Sequence, residues 1–242
     1  YDAFVAVTNN SETNILACVA AKRLGIPTVS RADYLGYIMC GYKRRIGISG
    51  AHGKSTCTSM LAHTFIHANT DPTVVSGAVL DEMGGAYRVG GEDSFIFEAC
   101  EYMDSFLSFY PTIAVVLNIE MDHVDYFKDL DQIKRSFRSY IEKTKGCGCA
   151  VLNADDENVE KSLEKFDGRK IGFSTQKSNA FVYAQNIDFN NGRPEFDVVL
   201  GGEAFCHVRL SVTGVHNVYN ALATCASIST MALFSLTSSE SE

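Results

Sequence analysis

The chain has 242 residues, which is enough for one large domain or two modest ones, and its hydrophobic content of 46% supplies ample material for a core. Its formal net charge of -8 argues against a general surface for nucleic acids or anionic membranes, although a local phosphate site stays possible. No apolar stretch is long enough to span a bilayer, and no secretory signal is recognisable.

The eight cysteines are scattered and form no C-x-x-C pair. Cys147 and Cys149 are the closest two, and small residues near a turn explain them better than a metal site does. In a chain of this size without a signal, this usage predicts reduced thiols and a cytoplasmic location.

The predicted elements begin with an apolar run over residues 2–8 that is typical of a buried strand. Residues 12–24 carry apolar side chains at helical spacing and end at Gly25, a frequent helix terminator. A strand over 26–30 and a short helix over 32–40 follow. Because the chain lacks a starting methionine and opens on a predicted strand, we expect a fragment or a shortened protein.

The middle of the chain alternates between strands and helices. Strands are predicted over 45–49, 73–76, 94–99, 112–118, 149–153 and 170–174, and helices over 54–69, 131–143 and 158–165. Such alternation is typical of a mostly parallel sheet with helices on both faces. Ligands of these sheets bind beyond the carboxyl ends of the strands.

The pattern changes over residues 180–212, where alternation replaces helical periodicity. The Asn-Asn-Gly sequence at 190–192 interrupts it, which indicates antiparallel strands joined by tight turns. A final helix is predicted over 218–234, and the Ser- and Glu-rich tail over 236–242 is expected to be disordered. The sequence therefore predicts an α/β fold with a small antiparallel portion.

The segment 47–56 reads Gly-Ile-Ser-Gly-Ala-His-Gly-Lys-Ser-Thr and joins a predicted strand to a predicted helix. Gly50 and Gly53 permit a tight curl that aims several N–H groups at one anion, and the helix N-terminus adds partial positive charge. Lys54 is expected to reach the outer phosphates of a nucleotide, and the Ser55 hydroxyl to bind Mg²⁺.

This loop departs from the usual G-x-x-x-x-G-K-[ST] pattern because Ile48 stands where a glycine is expected. The alternative is a glycine-rich turn that merely starts a helix. We favour a phosphate-binding loop, since Gly-Lys-Ser-Thr falls at a strand-to-helix junction, as the mechanism demands.

Acidic residues follow one predicted strand at the ligand edge of the sheet. Glu98 ends that strand and Glu101 lies three residues on. A carboxylate in this place suits a Mg²⁺ ligand, whereas an isolated glutamate would be a solvated loop residue. The nearby phosphate loop, which needs a metal, favours the first interpretation.

Two groups of histidines differ in their context. His123 ends the polar segment 118–123 after the most apolar strand, so it is a candidate metal ligand with Asp122 as its orienting partner. His63 and His67 are four apart on the loop helix, but they lack the glutamate of a zinc protease motif. We interpret them as ordinary helix residues.

Asn217 and Asn220 open the last helix three residues apart, so both amides can lie on one face. An amide offers both a donor and an acceptor, which suits adenine. On spacing alone, the alternative of Asn217 as a helix N-cap is favoured.

Four blocks together resemble the Mur ligase family of peptidoglycan synthesis, in both order and spacing. They are residues 50–56, 98–101, 118–123 and 216–221. The histidine before Gly53 and the segment 26–32 favour the family member that adds L-alanine. The resemblance covers essentially the whole chain except the tail.

This resemblance implies a P-loop-type central ATP-binding domain over 44–235 and a partial N-terminal Rossmann-like, UDP-substrate-binding domain over 1–43. It implies ATP and Mg²⁺ as cofactors, and UDP-N-acetylmuramate and L-alanine as substrates, with no nucleic acid and no membrane insertion. ATP would phosphorylate the muramyl carboxylate to an acyl phosphate, which an amine then attacks. Since family members have a third, C-terminal domain, the resemblance implies little or no ligase activity for this chain alone.

The family's roles carry over residue by residue. Lys54, Glu98 and His123 would be catalytic. Ser55, Glu98 and His123 would bind metal, His123 near the γ-phosphate. The ATP-binding residues would be Gly50, Ala51, His52, Gly53, Lys54, Ser55, Thr56, Asn217 and Asn220. Cys100 stands where the family has an acidic residue, and we expect it to tune the site.

Two alternatives stay open from the residues. The first is a ligase with another substrate, of the murein tripeptide recycling or folylpolyglutamate type. The second is a non-catalytic ATP-binding remnant. The third domain would discriminate between the ligases, and it is not part of this sequence.

Overall fold

The structure is a computed structural model that describes residues 11–146 and 148–237. The strand predicted over 2–8, Cys147 and most of the expected tail lie outside the described residues. The last helix reaches Thr237, so the first two residues of the predicted tail are helical.

The N-terminal segment forms two helices, α1 (Ser11–Arg23) and α2 (Arg31–Met39). Gly25 follows α1 with a left-handed φ of 73°, as its predicted role requires. The strand predicted over 26–30 is wrong, because these residues form a connection without strand pairing. Pro27 has no N–H to donate, and the Ser30 hydroxyl instead caps α2 by accepting a hydrogen bond from an α2 amide.

The described residues form one ten-stranded sheet in the order β10-β9-β8-β7-β6-β5-β1-β4-β2-β3. Its strands are β1 (Arg44–Ser49), β2 (Thr73–Leu80), β3 (Gly85–Arg88), β4 (Ser94–Glu98), β5 (Ile113–Val116), β6 (Cys149–Asn153), β7 (Lys170–Ser174), β8 (Val182–Asn190), β9 (Arg193–Leu200) and β10 (Glu203–Arg209). In this sheet order, every neighbouring pair between β2 and β8 is parallel. At the two ends of the sheet, β3 pairs antiparallel with β2, and β9 pairs antiparallel with both β8 and β10. The predicted, mostly parallel α/β fold is therefore confirmed.

The antiparallel portion continues the parallel sheet, since β8 pairs in parallel with β7. Between β8 and β9, Asn191 and Gly192 have φ values of 52° and 79°, which is the left-handed pair of a two-residue hairpin turn. The predicted tight turn is confirmed at this position. Strand β3, which the sequence analysis missed, is only four residues long and lies at the opposite edge.

Helices cover both faces of the sheet, as expected for parallel strands. The remaining helices are α3 (Lys54–His67), α4 (Leu130–Glu142), α5 (Glu157–Ser162) and α6 (Val215–Thr237), with short 3₁₀ helices over Asp81–Met83 and Tyr102–Ser108. Helices α3 and α6 pack on one face, and α2, α4, α5 and the 102–108 helix pack on the other. Side chains of β5 alternate between the two cores, which explains why this strand is apolar throughout.

Helix α2 contacts the 102–108 helix closely at Gly36. A Cβ atom built there would lie 2.1 Å from the backbone oxygen of Ser108, and the Ser108 hydroxyl donates to Asp33 Oδ1 at 2.6 Å. The two helices are therefore in contact over backbone as well as side chains.

We predict that Gly36→Ala lowers the free energy of unfolding by about 1–3 kcal/mol, because the added methyl group meets backbone that cannot rotate away. Urea denaturation followed by circular dichroism measures it. Gly41→Ala is the matched control, since its Cβ would lie an ordinary 3.5 Å from its nearest neighbour. Equal effects of the two substitutions would contradict the packing of α2.

Candidate nucleotide-binding site

The loop between β1 and α3 has the backbone curl that its glycines predict. Gly50 and Gly53 have φ values of 140° and 88°, which other residues rarely adopt. A Cβ atom on Gly53 would also lie only 2.6 Å from the Asn220 Oδ1 atom. Glycine is thus required at both positions, for conformation at each and for space at Gly53.

The N-terminus of α3 is open to an anion. Helix α3 begins at Lys54, directly after Gly53, which has no side chain to cap the first-turn amides. These amides have no intrahelical acceptor, and the first turn holds no acidic residue to neutralise the helix dipole. Thr56 lies in this turn, as predicted. The donors and the dipole together fit a phosphate group.

Asn118 clamps the loop from the neighbouring strand. Its Oδ1 atom accepts from the His52 backbone amide at 2.9 Å, and its Nδ2 atom donates to the His52 carbonyl at 3.0 Å. The Ala51 amide also approaches the Asn118 carbonyl, at 3.4 Å. Asn118 was not among the predicted site residues. The available signal was an amide placed directly after β5, the strand that pairs with β1.

The Lys54 ammonium is held inside the site. It donates to the carbonyl oxygens of Gly50 and Ala51 and lies 3.2 Å from the Glu101 Oε2 atom. The Lys54 side chain is 16% exposed and that of Glu101 only 2%. A buried carboxylate needs such a partner, so Glu101 is a central residue of the site rather than a secondary one.

Glu98 is oriented by three donors. Its Oε2 atom accepts from the Ser55 hydroxyl at 3.1 Å, as the predicted Ser55–Glu98 pairing requires. Its Oε1 atom accepts from the Ser76 hydroxyl and the Gly77 amide, both at 2.7 Å. Ser76 and Gly77 were missed because the strand was expected to end at residue 76, whereas β2 continues to Leu80.

His123 lies beside Glu101. Its Nε2 atom is 3.8 Å from the Glu101 Oε1 atom and 3.8 Å from the Asp122 Oδ2 atom. Within the described part of the chain, these are the one group of three residues whose donor atoms lie within 4.8 Å of one another in a way that fits a metal ion. The predicted contact between Asp122 and His123 is thus present, with Glu101 as an added member.

The two donor sets differ in chemistry. Ser55 and Glu98 offer oxygen atoms alone, which fits Mg²⁺. Glu101, Asp122 and His123 offer oxygen together with an imidazole nitrogen, a mixed set that fits divalent transition-metal ions as well as Mg²⁺.

Asp104 connects the segment that carries Glu101 to the segment that carries His123. Its Oδ2 atom accepts from the Tyr126 hydroxyl at 2.6 Å, and its Oδ1 atom accepts from the Ser136 hydroxyl of α4. Asp104 itself is left-handed, with a φ of 55°. The hydrogen bond to its carboxylate raises the pKa of Tyr126 above the usual value. This anchor fixes the approach of Glu101 to His123.

Asn217 and Asn220 lie together on one face of α6, as predicted. The Asn220 Nδ2 atom donates to Asn217 Oδ1 at 3.0 Å, and Asn217 Nδ2 donates to the Thr213 carbonyl at 2.8 Å. The N-cap interpretation of Asn217 is wrong, because α6 begins at Val215 and the Asn217 side chain donates a hydrogen bond to a preceding carbonyl. The nearness of Asn220 to Gly53 connects α6 to the loop.

The remaining histidines lie at the surface. His52 is 72% exposed, with its Nε2 atom 3.6 Å from the Glu120 Oε2 atom. His63 and His67 stack with their ring centroids 4.0 Å apart on the exposed side of α3, outside the candidate metal group.

Comparison with known protein families assigns a family to the chain that carries this site. The middle-domain profile of the Mur ligases matches residues 48–228, which include the loop, both acidic residues, His123 and both asparagines. The chain belongs to the Mur ligase family. The family resemblance of the sequence is therefore confirmed.

Curated relatives agree with this assignment. The chain is 44% identical over 220 residues to a UDP-N-acetylmuramate–L-alanine ligase of Caldicellulosiruptor bescii, a match that covers 90% of this chain and 48% of that protein. It is 44% identical over 209 residues to the enzyme of the same name from Clostridium novyi, covering 86% and 45%. The chain thus spans about half the length of the curated relatives it matches.

Solved structures share the fold. A UDP-N-acetylmuramate:L-alanyl-γ-D-glutamyl-meso-diaminopimelate ligase from Neisseria meningitides superposes with a TM-score of 0.78 and 26% identity, covering 93% of this chain and 72% of that one. A UDP-N-acetylmuramate-alanine ligase from Thermotoga maritima gives 0.74 at 24% identity, covering 94% and 50%, and supports the fold alone. None of the helices in the described ranges has the length and apolar character needed to cross a membrane.

We predict that Asn118→Ala speeds hydrogen exchange at the His52 amide roughly fivefold, since one hydrogen bond contributes about 1 kcal/mol. Asn158→Ala is the control, because it removes a similar side-chain bond to the Ile119 carbonyl without touching the loop. Amide exchange by mass spectrometry or NMR reads both. Unchanged exchange at His52 would contradict the clamp.

Proposed function

We propose that this chain is the ATP-binding half of a ligase that joins L-alanine to the carboxylate of UDP-N-acetylmuramate. One observation carries the proposal: Lys54 and the open end of α3 lie beside the Ser55–Glu98 oxygen pair at the carboxyl edge of the sheet. The names of the relatives at 44% identity support the alanine-adding reaction.

ATP would bind with its phosphates on the open first turn of α3, and the Ala51 and His52 amides would join only by exchanging Asn118 oxygens for phosphate oxygens. Lys54 would exchange its contact with Glu101 for a phosphate oxygen, and Ser55 and Glu98 would hold Mg²⁺. When bound, Mg²⁺ neutralises charge on the phosphates. The protein then acts by positioning the γ-phosphate next to the muramyl carboxylate, since phosphoryl transfer needs alignment and charge balance more than covalent help.

Glu101, Asp122 and His123 would hold a second metal ion near the γ-phosphate. In this role His123 uses its neutral imidazole, and the paired carboxylates supply the negative charge that a divalent ion needs. Glu101 also faces Lys54, so release of Lys54 toward a phosphate would free this carboxylate for the metal.

The adenine would bind near the asparagines of α6. Asn217 and Asn220 bond to each other through one oxygen and one N–H. Since an amide has two acceptor and two donor sites, each side chain retains further hydrogen-bonding sites for a base. The Asn220 amide lies beside Gly53, which puts this pair of asparagines next to the phosphate loop.

The domain boundaries stay as a proposal, with an N-terminal substrate-binding part over 1–43 and the ATP-binding part over 44–235. The matched region is 48% of the relative from Caldicellulosiruptor bescii, so the complete reaction would also draw on residues that this relative carries outside the match. We therefore propose that this chain alone binds ATP with little or no ligase turnover, and that the parent enzyme works in the cytoplasm, where ATP is available.

The second candidate is a ligase that joins a tripeptide to UDP-N-acetylmuramate. The structure from Neisseria meningitides, with a TM-score of 0.78, is named as a ligase of L-alanyl-γ-D-glutamyl-meso-diaminopimelate. Identity of 44% to the alanine-adding enzymes, against 26% to the tripeptide ligase, favours L-alanine.

We predict that Lys54→Ala weakens Mg²⁺–ATP binding at least tenfold, which corresponds to about 1.4 kcal/mol, because the phosphates lose their closest cation. Isothermal titration calorimetry of the wild-type chain and the variant measures it. Lys43→Ala is the control, since that lysine is highly exposed and lies outside the loop. Equal affinity in wild type and Lys54→Ala would refute the proposed site.

A second prediction concerns the metal. Glu98→Gln keeps an oxygen that accepts hydrogen bonds from Ser76 and Gly77 but removes the charge, so the gain in ATP affinity that Mg²⁺ provides should fall about tenfold. Titrations of ATP in the presence of Mg²⁺ and in the presence of EDTA separate the gain in affinity due to the metal from the binding of ATP alone. Glu92→Gln, at an exposed glutamate before β4, should leave the gain unchanged. A gain that Glu98→Gln preserves would remove Glu98 from the metal site.

A further inference from the structure

Two cysteines lie toward the outer end of the sheet, and neither belongs to the candidate nucleotide site. Cys206 lies on β10 and is exposed, and Cys225 lies on α6 and is half-buried. Both are free thiols, as are the other cysteines of the described chain.

Strand register places Cys206 on the face that α6 covers. In the antiparallel pair of β9 and β10, Cys206 lies directly opposite Val198. Directly opposed residues point to the same face of a sheet. Val198 belongs to the core beneath α6, and Val208, two residues along β10 from Cys206, packs against the same core. Cys225 packs against this core from the helix side, so both cysteines lie on the same side of the sheet.

Interaction between the two thiols divides their chemistry. The interaction with Cys225 lowers the pKa of Cys206 to about 7, with a further contribution from the charge of His207. The same interaction, together with burial, raises the pKa of Cys225 far above its usual range. Near neutral pH a large share of Cys206 is therefore an accessible thiolate beside a protonated thiol, which is the arrangement of a reactive and a resolving cysteine.

Cys57 shows the contrast within the same region. It is fully buried in α3, its thiol donates to the Asn220 carbonyl at 3.7 Å, and burial raises its pKa to about 12. It has neither the access nor the thiolate character that oxidation requires.

We propose that Cys206 and Cys225 are a peroxide-sensitive thiol pair that closes to a disulfide joining β10 to α6. The Cys206 thiolate attacks one oxygen of a hydroperoxide, the O–O bond breaks, and the departing hydroxide or alkoxide takes up a proton. Cys206 is then a sulfenic acid. The Cys225 sulfur attacks the Cys206 sulfur, the S–O bond breaks, and hydroxide leaves with the Cys225 proton as water. Two thiols are oxidised and one peroxide is reduced.

The disulfide would tie the outermost strand to the helix that borders the phosphate loop. Strand β10 is the edge of the described sheet, held on one side by β9 alone. Helix α6 carries Asn220, which lies against Gly53. The thiol pair stands independently of the proposed ATP chemistry, since neither cysteine lies in the candidate site.

A peptide map tests the pair directly. Trypsin cleaves after Lys177 and Arg209, and the bond before Pro194 resists it. Each resulting peptide, 178–209 and 210–242, holds a single cysteine, so a peptide linked between them identifies the Cys206–Cys225 disulfide unambiguously. The full chain is treated with hydrogen peroxide, alkylated with iodoacetamide and digested without reductant. We expect the linked peptide as the main oxidised product, and its loss after dithiothreitol.

The pH dependence of alkylation supplies a second readout that does not depend on oxidation. In the wild-type chain, iodoacetamide modification of Cys206 should rise through pH 7, because the thiolate is the reacting form. In Cys225→Ala the interaction that lowers the pKa of Cys206 is gone, and the midpoint should move upward.

Matched variants complete the test. Cys40→Ser, at an exposed cysteine on α2's C-terminal side, should leave the linked peptide unchanged, whereas Cys206→Ser should abolish it. Circular dichroism checks that each variant is folded. Absence of the linked peptide in the folded wild-type chain, or an alkylation midpoint that Cys225→Ala does not move, would overturn the proposal.

Discussion

The contact between Lys54 and Glu101 is the interaction on which the site depends. A carboxylate that is 2% exposed is costly unless a cation faces it, and Lys54 is that cation. The same carboxylate faces His123, so one buried charge sets the positions of Lys54 and His123 together, which are the proposed phosphate and metal ligands. Removal of either partner would leave the other charge buried without compensation, which makes the pair a constraint on folding as well as on chemistry.

The parallel order β4-β1-β5 brings this pair together. Three neighbouring strands end at the same edge, and each delivers one component: β1 leads into the loop, β4 ends at Glu98, and β5 leads to Asn118 and His123. Because both faces are filled by helices, the open edge is where polar groups meet without disturbing a core. The geometry of the site follows from topology, since strand pairing gathers residues as distant in the chain as Asn118 and His52, which are 66 positions apart.

The sequence was sufficient to predict the positions of residues that local backbone geometry determines. Gly53, Lys54 and Ser55 were predictable because a strand-to-helix turn defines their directions within a few residues. It did not reach Ser76, whose hydroxyl meets Glu98 only because β2 pairs with β4. The strand expected over 26–30 is absent for a related reason, since none of the strands in the described residues pairs with this segment.

The contact of α2 with the 102–108 helix has a mechanical consequence. No methyl group fits between them at Gly36, and surfaces in such contact cannot slide independently. The 102–108 helix begins at Tyr102, the residue after Glu101. Helix α2 is therefore coupled by close backbone packing to the segment that leads back to Glu101, the carboxylate that holds Lys54.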